Sequence, residues 1–122
     1  MIGVLLVAAM VQAEAPPLDW TALPLFPLPR AAVMNDAMFV RRELAERCQL
    51  PAVAAERGEF TVPVAILVAE ASRVRRITPR AVGCPTVEQY TVGYVQSLTR
   101  SGPSPGSVLA PGWYRATVTF RW

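Results

Sequence analysis

A period of two in the second half of the chain limits its fold more than any other feature. Phe60, Val62, Val64, Ile66 and Val68 alternate with Thr61, Pro63, Ala65, Leu67 and Ala69. Such alternation specifies a strand with one strongly apolar face. Glu70, Ala71 and Ser72 make the turn, and the chain returns from Arg73 to about Val82 with Arg76, Thr78 and Arg80 on a polar face. Proline cannot donate to a ladder, so Pro63 is expected at an edge or a bulge, and Pro79 at an irregular or unpaired position. The final run alternates again. Tyr114, Ala116, Val118, Phe120 and Trp122 point one way, to pack on helices. Trp113, Arg115, Thr117, Thr119 and Arg121 point the other way. A strand as the last element offers an ordered end and an edge that another peptide can join.

Between these strands the period changes to that of a helix. Thr86-Val87-Glu88-Gln89 fits a capping box, a Thr hydroxyl for one orphan amide and a Gln that reaches back. Val87, Tyr90, Thr91, Tyr94 and Leu98 then line one face to about Thr99. The Ser/Gly/Pro run 101–106 is a loop. Earlier, Asn35 or Asp36 can cap a helix over about 36–47. Val33, Ala37, Val40 and Leu44 recur at helical spacing with Cys48 next, and Pro51 opposes continuation. The fold class is therefore α+β: a small antiparallel three-stranded sheet packed against two helices, in α-β-β-α-β order over residues 36–122.

Composition narrows the chemistry. The 122 residues suit one domain, and 52% are apolar, which argues against general disorder. Histidine and lysine are both absent, and all twelve basic residues are arginine. There is no imidazole base, histidine metal ligand, Schiff-base lysine or P-loop lysine. Glu43, Glu46, Glu56, Glu59 and Glu88 read as surface charge. The expectation is a chain that is not an enzyme, with no catalytic residues, metal site or cofactor. The net charge of +3 is mild and the arginines are spread along the chain. Arg73, Arg75, Arg76 and Arg80 come nearest to a cluster, short of the dense basic stripe with aromatics that nucleic acid demands. Heavy arginine use is also what a GC-rich genome produces.

Residues 1–13 fit a secretory signal. Ile2 to Val11 are almost wholly apolar, and Val11 and Ala13 suit the −3 and −1 positions of a cleavage site. The run is short of the roughly 20 residues that span a bilayer. The alternatives are an uncleaved anchor or a buried helix. Residues 14–35 form a lead-in with prolines at 16, 17, 24, 27 and 29, which favour extended chain. Trp20, Leu23, Leu25, Phe26 and Leu28 make it more apolar than a free linker, so it is expected to lie on the domain surface.

In an exported chain, Cys48 and Cys84 read first as one structural disulfide. Two free buried thiols or a redox pair are the alternatives. The spacing is not C-x-x-C, and no histidine is present to activate a thiol.

The order of elements, with Pro51 after the first helix, Gly58 before Val62 and Val64, Val74 in the return strand, Gly83 before the second helix, and Val118-Thr119-Phe120 in the last strand, resembles the C-terminal domain of the TonB family over about residues 36–122. The chain departs from the family at the hairpin, at Thr86-Val87-Glu88, and in lacking the aromatic-x-Pro-Ala segment and long charged Pro-rich linker. The resemblance implies a periplasmic protein-binding module. Its partner would be an extended segment of an outer-membrane transporter or another envelope protein, taken by strand addition. It also implies that the last strand provides the edge, with Arg115, Thr117, Thr119 and Arg121 tuning the choice of partner. Trp113 and Trp122 on this strand read as packing anchors, with stacking on a ligand the alternative. The plainer alternative leaves Arg115 and Arg121 merely solvated. The alternative function is a stand-alone envelope protein of the same fold without an energy-coupling role, its partner a second copy joined edge to edge.

Overall fold

The structure, a computed structural model, describes residues 15–49 and 57–122. The expected signal of residues 1–13, Pro51 and Glu56 lie outside the described residues. The elements run β1 (Val33–Met34), α1 (Met38–Glu46), β2 (Glu59–Ala69), a 3-10 turn (Glu70–Ser72), β3 (Arg73–Pro79), α2 (Pro85–Leu98) and β4 (Gly112–Arg121). The architecture is α+β, with both helices against one face of the sheet.

The sheet differs from the expected three antiparallel strands. It is four-stranded and mixed, in the order β1-β4-β2-β3. The added strand, β1, comes from the lead-in and pairs parallel with β4, Val33 opposite Thr119 and Met34 opposite Phe120. Nearer the N-terminus, Leu25 bridges Arg115, also in parallel. A bare β4 edge would present a row of unpaired N–H and C=O groups. Prolines hold the lead-in close to the extended conformation that such an edge accepts, so little conformational freedom is lost in pairing.

The apolar faces read from the sequence meet in one core. Val62, Val64, Ile66 and Val68 of β2 are buried, with Ala116, Val118 and Phe120 of β4, Val40 and Leu44 of α1, and Val87, Val95 and Leu98 of α2. Phe26 and Ala32 of the lead-in are buried with them. The lead-in is thus part of the core as well as of the surface. On α2 the buried stripe is Val87, Thr91, Val95 and Leu98. Tyr90 and Tyr94 flank it: the Tyr90 ring stacks on Phe39 at 4.8 Å, and the Tyr94 hydroxyl donates to the Val33 carbonyl at 3.3 Å.

Three local expectations need correcting. First, α2 is not capped by Thr86 and Gln89. Its N-cap is Cys84 with Pro85 next, and Glu88 Oε2 accepts from the N–H groups of Val82 (3.0 Å) and Cys84 (3.2 Å). Pro85 has no N–H to satisfy, which suits the first helical position. Second, Glu88 is therefore not surface charge, and neither is Glu43, which is buried on α1 and ion-paired with Arg47 at 3.3 Å. Third, Pro63 sits in the central strand, opposite Thr117. Its carbonyl accepts from the Arg80 N–H at 2.9 Å, one step beyond the Val64–Pro79 pair that ends the β2–β3 ladder. The N–H and C=O of one strand residue face the same side. The missing Pro63 donor therefore falls where the ladder has run out.

The hairpin turn is strained. Ala71 (φ 61°, ψ 33°) and Ser72 (φ 58°) both adopt left-handed conformations. That region costs a residue with a Cβ roughly 1–2 kcal/mol, and glycine escapes the cost at some loss of chain entropy. Ala71→Gly is expected to raise unfolding stability by about 1 kcal/mol in urea titration. A loss of stability would show that the turn does not hold the left-handed conformation.

Candidate functional site

A sheet can take a partner strand only along an edge, so the two edges of this sheet are the places to look. The β4 edge carries the residues singled out by the sequence, and the lead-in occupies much of it. The Arg115 N–H donates to the Pro24 carbonyl at 2.9 Å, and the Phe26 N–H donates to the Arg115 carbonyl at 2.9 Å. Farther along, the Thr119 N–H donates to the Ala32 carbonyl at 2.9 Å and the Ala37 N–H to the Arg121 carbonyl at 2.8 Å. Pro24 takes part as an acceptor only, which a proline can do.

The side chains of β4 follow. Arg115 is half-buried, and its Nε donates to the Leu23 carbonyl at 2.8 Å, so it is neither merely solvated nor directed at an open edge. Arg121 is exposed and reaches Glu59 Oε2 of the neighbouring strand at 3.6 Å. Thr117 is exposed opposite Pro63, and Thr119 is half-buried opposite Thr61. Trp113 is half-buried opposite Leu67, and its buried Nε1 has no hydrogen-bond partner among the described residues. These five residues share one face of one strand, but the backbone beside them is already engaged at Arg115, Thr119 and Arg121.

The lead-in is also held at its start. The Arg80 guanidinium stacks on the Trp20 ring, 4.2 Å from its centroid. Asp19 Oδ1 accepts the Thr21 hydroxyl at 2.6 Å and the Thr21 N–H at 3.0 Å. The side-chain bond, then the backbone bond, hold the Asp19 carboxyl below its usual range, with a smaller pull from Arg80. Both bonds favour the ionised form. Whatever they add to folding is present at neutral pH and fades as pH falls through the lowered pKa.

The opposite edge is β3, the last strand of the sheet. Among the described residues no strand pairs with its outer side. A β-bulge shifts the register between Leu67, which pairs with Arg76, and Val68, which pairs with Val74. The Arg80 N–H faces β2, so by alternation the backbone of Ile77 and Pro79 faces outward. Pro79 has no donor to leave unsatisfied there. Beside this strand lies a cleft of about 960 Å³, bounded by β3, the C-terminal turn of α2 and the loop 101–108. Its lining contains Arg73, Arg75, Arg76 and Arg100 and, among the described residues, no carboxylate. Arg75 and Arg76 each have interaction partners in the structure. The loop is pinned on both sides: the Ser104 N–H donates to the Pro27 carbonyl at 2.8 Å, and the Leu109 N–H donates to Ser72 Oγ at 2.8 Å. Sequence reasoning singled out Arg73, Arg75 and Arg76, together with Arg80, as the nearest approach to a basic cluster, and did not single out Arg100. The change from edge β4 to edge β3 could not be read without knowing where the lead-in lands.

Cys48 and Cys84 form a disulfide that joins the end of α1 to the start of α2. No group of His, Cys, Asp or Glu among the described residues could hold a metal ion, and none of the described helices is long and apolar enough to cross a membrane. Comparison of the chain with protein-family models, curated proteins and solved structures gives no match in any of the three.

Proposed function

We propose that this chain is an exported protein-binding module, resembling the TonB C-terminal domain, that takes an extended segment of an envelope partner by strand addition, and that the receiving edge is β3. The observation that carries the reading is the asymmetry of the sheet: the lead-in lies along the outer side of β4, while no described strand lies along the outer side of β3. Strand addition supplies backbone hydrogen bonds to whichever edge is open, with neighbouring side chains selecting the sequence. Export to the periplasm is supported by the disulfide, which persists in oxidising compartments, and by the signal-like segment 1–13. An outer-membrane transporter segment is the partner class that the TonB resemblance suggests.

The test is an amide-shift NMR titration of the oxidised chain with peptides from the N-terminal plug segments of co-encoded transporters. Saturable shifts concentrated on Arg73–Pro79 are the expected result. Shifts confined to Trp113–Arg121 would return the site to the β4 edge and require the lead-in to be displaced. An absence of shifts with every peptide would overturn docking and favour the stand-alone envelope protein.

A further inference from the structure

We propose that the cleft along β3 selects an acidic extended segment, whose carboxylates are taken by Arg73 and Arg100. This rests on the strand-addition reading above and specifies the chemistry of its ligand. Arg73 opens β3, and Arg100 follows the C-terminal end of α2, so the two approach the cleft from different elements. Both side chains lie on exposed residues. The Arg73 Nε makes a long 3.4 Å contact to the Glu70 carbonyl. Arg100 is not needed to cap α2: the Thr99 N–H and hydroxyl both donate to the Val95 carbonyl at 2.9 Å, and the Gly102 N–H donates to the Thr99 carbonyl at 2.8 Å. The Glu43–Arg47 and Glu59–Arg121 ion pairs lie elsewhere in the fold.

Charge complementarity then decides the occupant. Arg73 and Arg100 stand in the lining with no carboxylate among its described residues, so an acidic ligand meets no like charge from these. Arginine forks onto carboxylates with two parallel bonds. Val74 and Ile77, half-buried against the core, give the cleft an apolar floor. Side chains of an added strand alternate in direction, so acidic residues two positions apart would face the cleft together. Single-stranded nucleic acid would call for stacking aromatics, and the described lining residues include none.

The experiment uses the full oxidised chain and three synthetic nine-residue peptides. One carries Asp at two alternating positions, the second carries Asn there, and the third is the Asp peptide N-methylated at alternate amides. Affinities are read by calorimetry at low and physiological salt. The Asp peptide is expected to bind about tenfold or more tightly than the Asn peptide, with the advantage shrinking as salt rises. The R73Q/R100Q double variant should lose that advantage and keep its affinity for the Asn peptide. Equal affinity for Asp and Asn peptides would overturn the acidic selection while leaving strand addition standing. Undiminished binding of the N-methylated peptide would overturn strand addition itself. Binding to vesicles containing anionic lipid, lost in the double variant, with no binding of any peptide, would reassign the arginines to a membrane surface and overturn the proposal.

Discussion

Phe26→Ala is expected to destabilise the chain by about 3–5 kcal/mol, the range for truncating a buried phenylalanine. Phe26 lies in a segment whose prolines would ordinarily mark a linker, yet it is only 4% exposed. Its ring meets Tyr114 edge-on, with centroids 6.2 Å apart. Its backbone N–H is tied to the Arg115 carbonyl, and Arg115 is tied back to Pro24 and Leu23. The side chain and the backbone therefore anchor the same stretch, and removing the ring loosens both. Small domains are stable by roughly 5–15 kcal/mol, so this loss is a large fraction of the total. Urea unfolding of the variant measures it. A loss below 1 kcal/mol would show that the lead-in is not part of the cooperative fold. A chain shortened to begin at Ala31 would carry the defect further. It loses the Pro24 and Phe26 backbone partners of Arg115, leaving part of the β4 edge bare. Concentration-dependent self-association by light scattering is expected of that shortened chain.

The reach of sequence reasoning follows from which interactions are local. The period of two in Phe60–Val68 and Tyr114–Trp122 is set by the burial of one sheet face, and those faces are where the sequence put them. The α2 stripe and Val40 and Leu44 of α1 were legible for the same reason, with Val95 replacing the tyrosines because a helix stripe is wider than one row of residues. Val33, read with the α1 stripe, lies in β1, and Ala37 rather than Asn35 or Asp36 stands at the α1 N-cap. The lead-in was legible as extended and as too apolar for a linker. Its pairing with β4 was not, because Leu25 and Arg115 are far apart in sequence and no local pattern encodes a parallel partner at that distance. Pro63 misled for a related reason. The rule against proline in a central strand holds where the missing N–H would face a paired residue. Pro63 pairs with Thr117 of β4, but its backbone N faces β3, and only the register shows that the β2–β3 ladder ends one residue short of it.

The candidate site was partly legible in the same sense. The five residues Trp113, Arg115, Thr117, Thr119 and Arg121 do share a strand face. Whether their strand is an edge depends on a contact made by residues 24–34. Once that contact is made, the available edge passes to β3, where arginines, a bulge and Pro79 stand along the strand. These are also the devices that keep an edge from indiscriminate pairing. A selective docking edge and a protected edge are built from the same residues. The difference lies in whether the arginines meet a matching acidic strand.

Reducing the Cys48–Cys84 disulfide, or replacing both residues by alanine, is expected to cost about 4 kcal/mol in the chain-entropy model for a loop of this length. The effect should fall unevenly. Helix α1 has nine residues and no side-chain N-cap bond, too short to persist by its own hydrogen bonds. It is held by Val40 and Leu44 in the core at its middle and by Cys48 just past its end. Cys84 is fully buried at the N-cap of α2, so the bridge fixes the end of the first helix to the beginning of the second. Once it is broken, α1 can lift while the β2–β4 pairing remains, exposing buried Glu43 and the α1 side of the core. Hydrogen exchange of the reduced chain should therefore accelerate first in 38–46, with the amides of β2 and β4 protected until global unfolding. Two results would overturn this: alkylation of both cysteines in denaturant without reductant, or a loss below 1 kcal/mol with α1 exchange unchanged. The second would mean that apolar contacts alone hold α1 to the sheet, and that the bridge only secures a helix already in place.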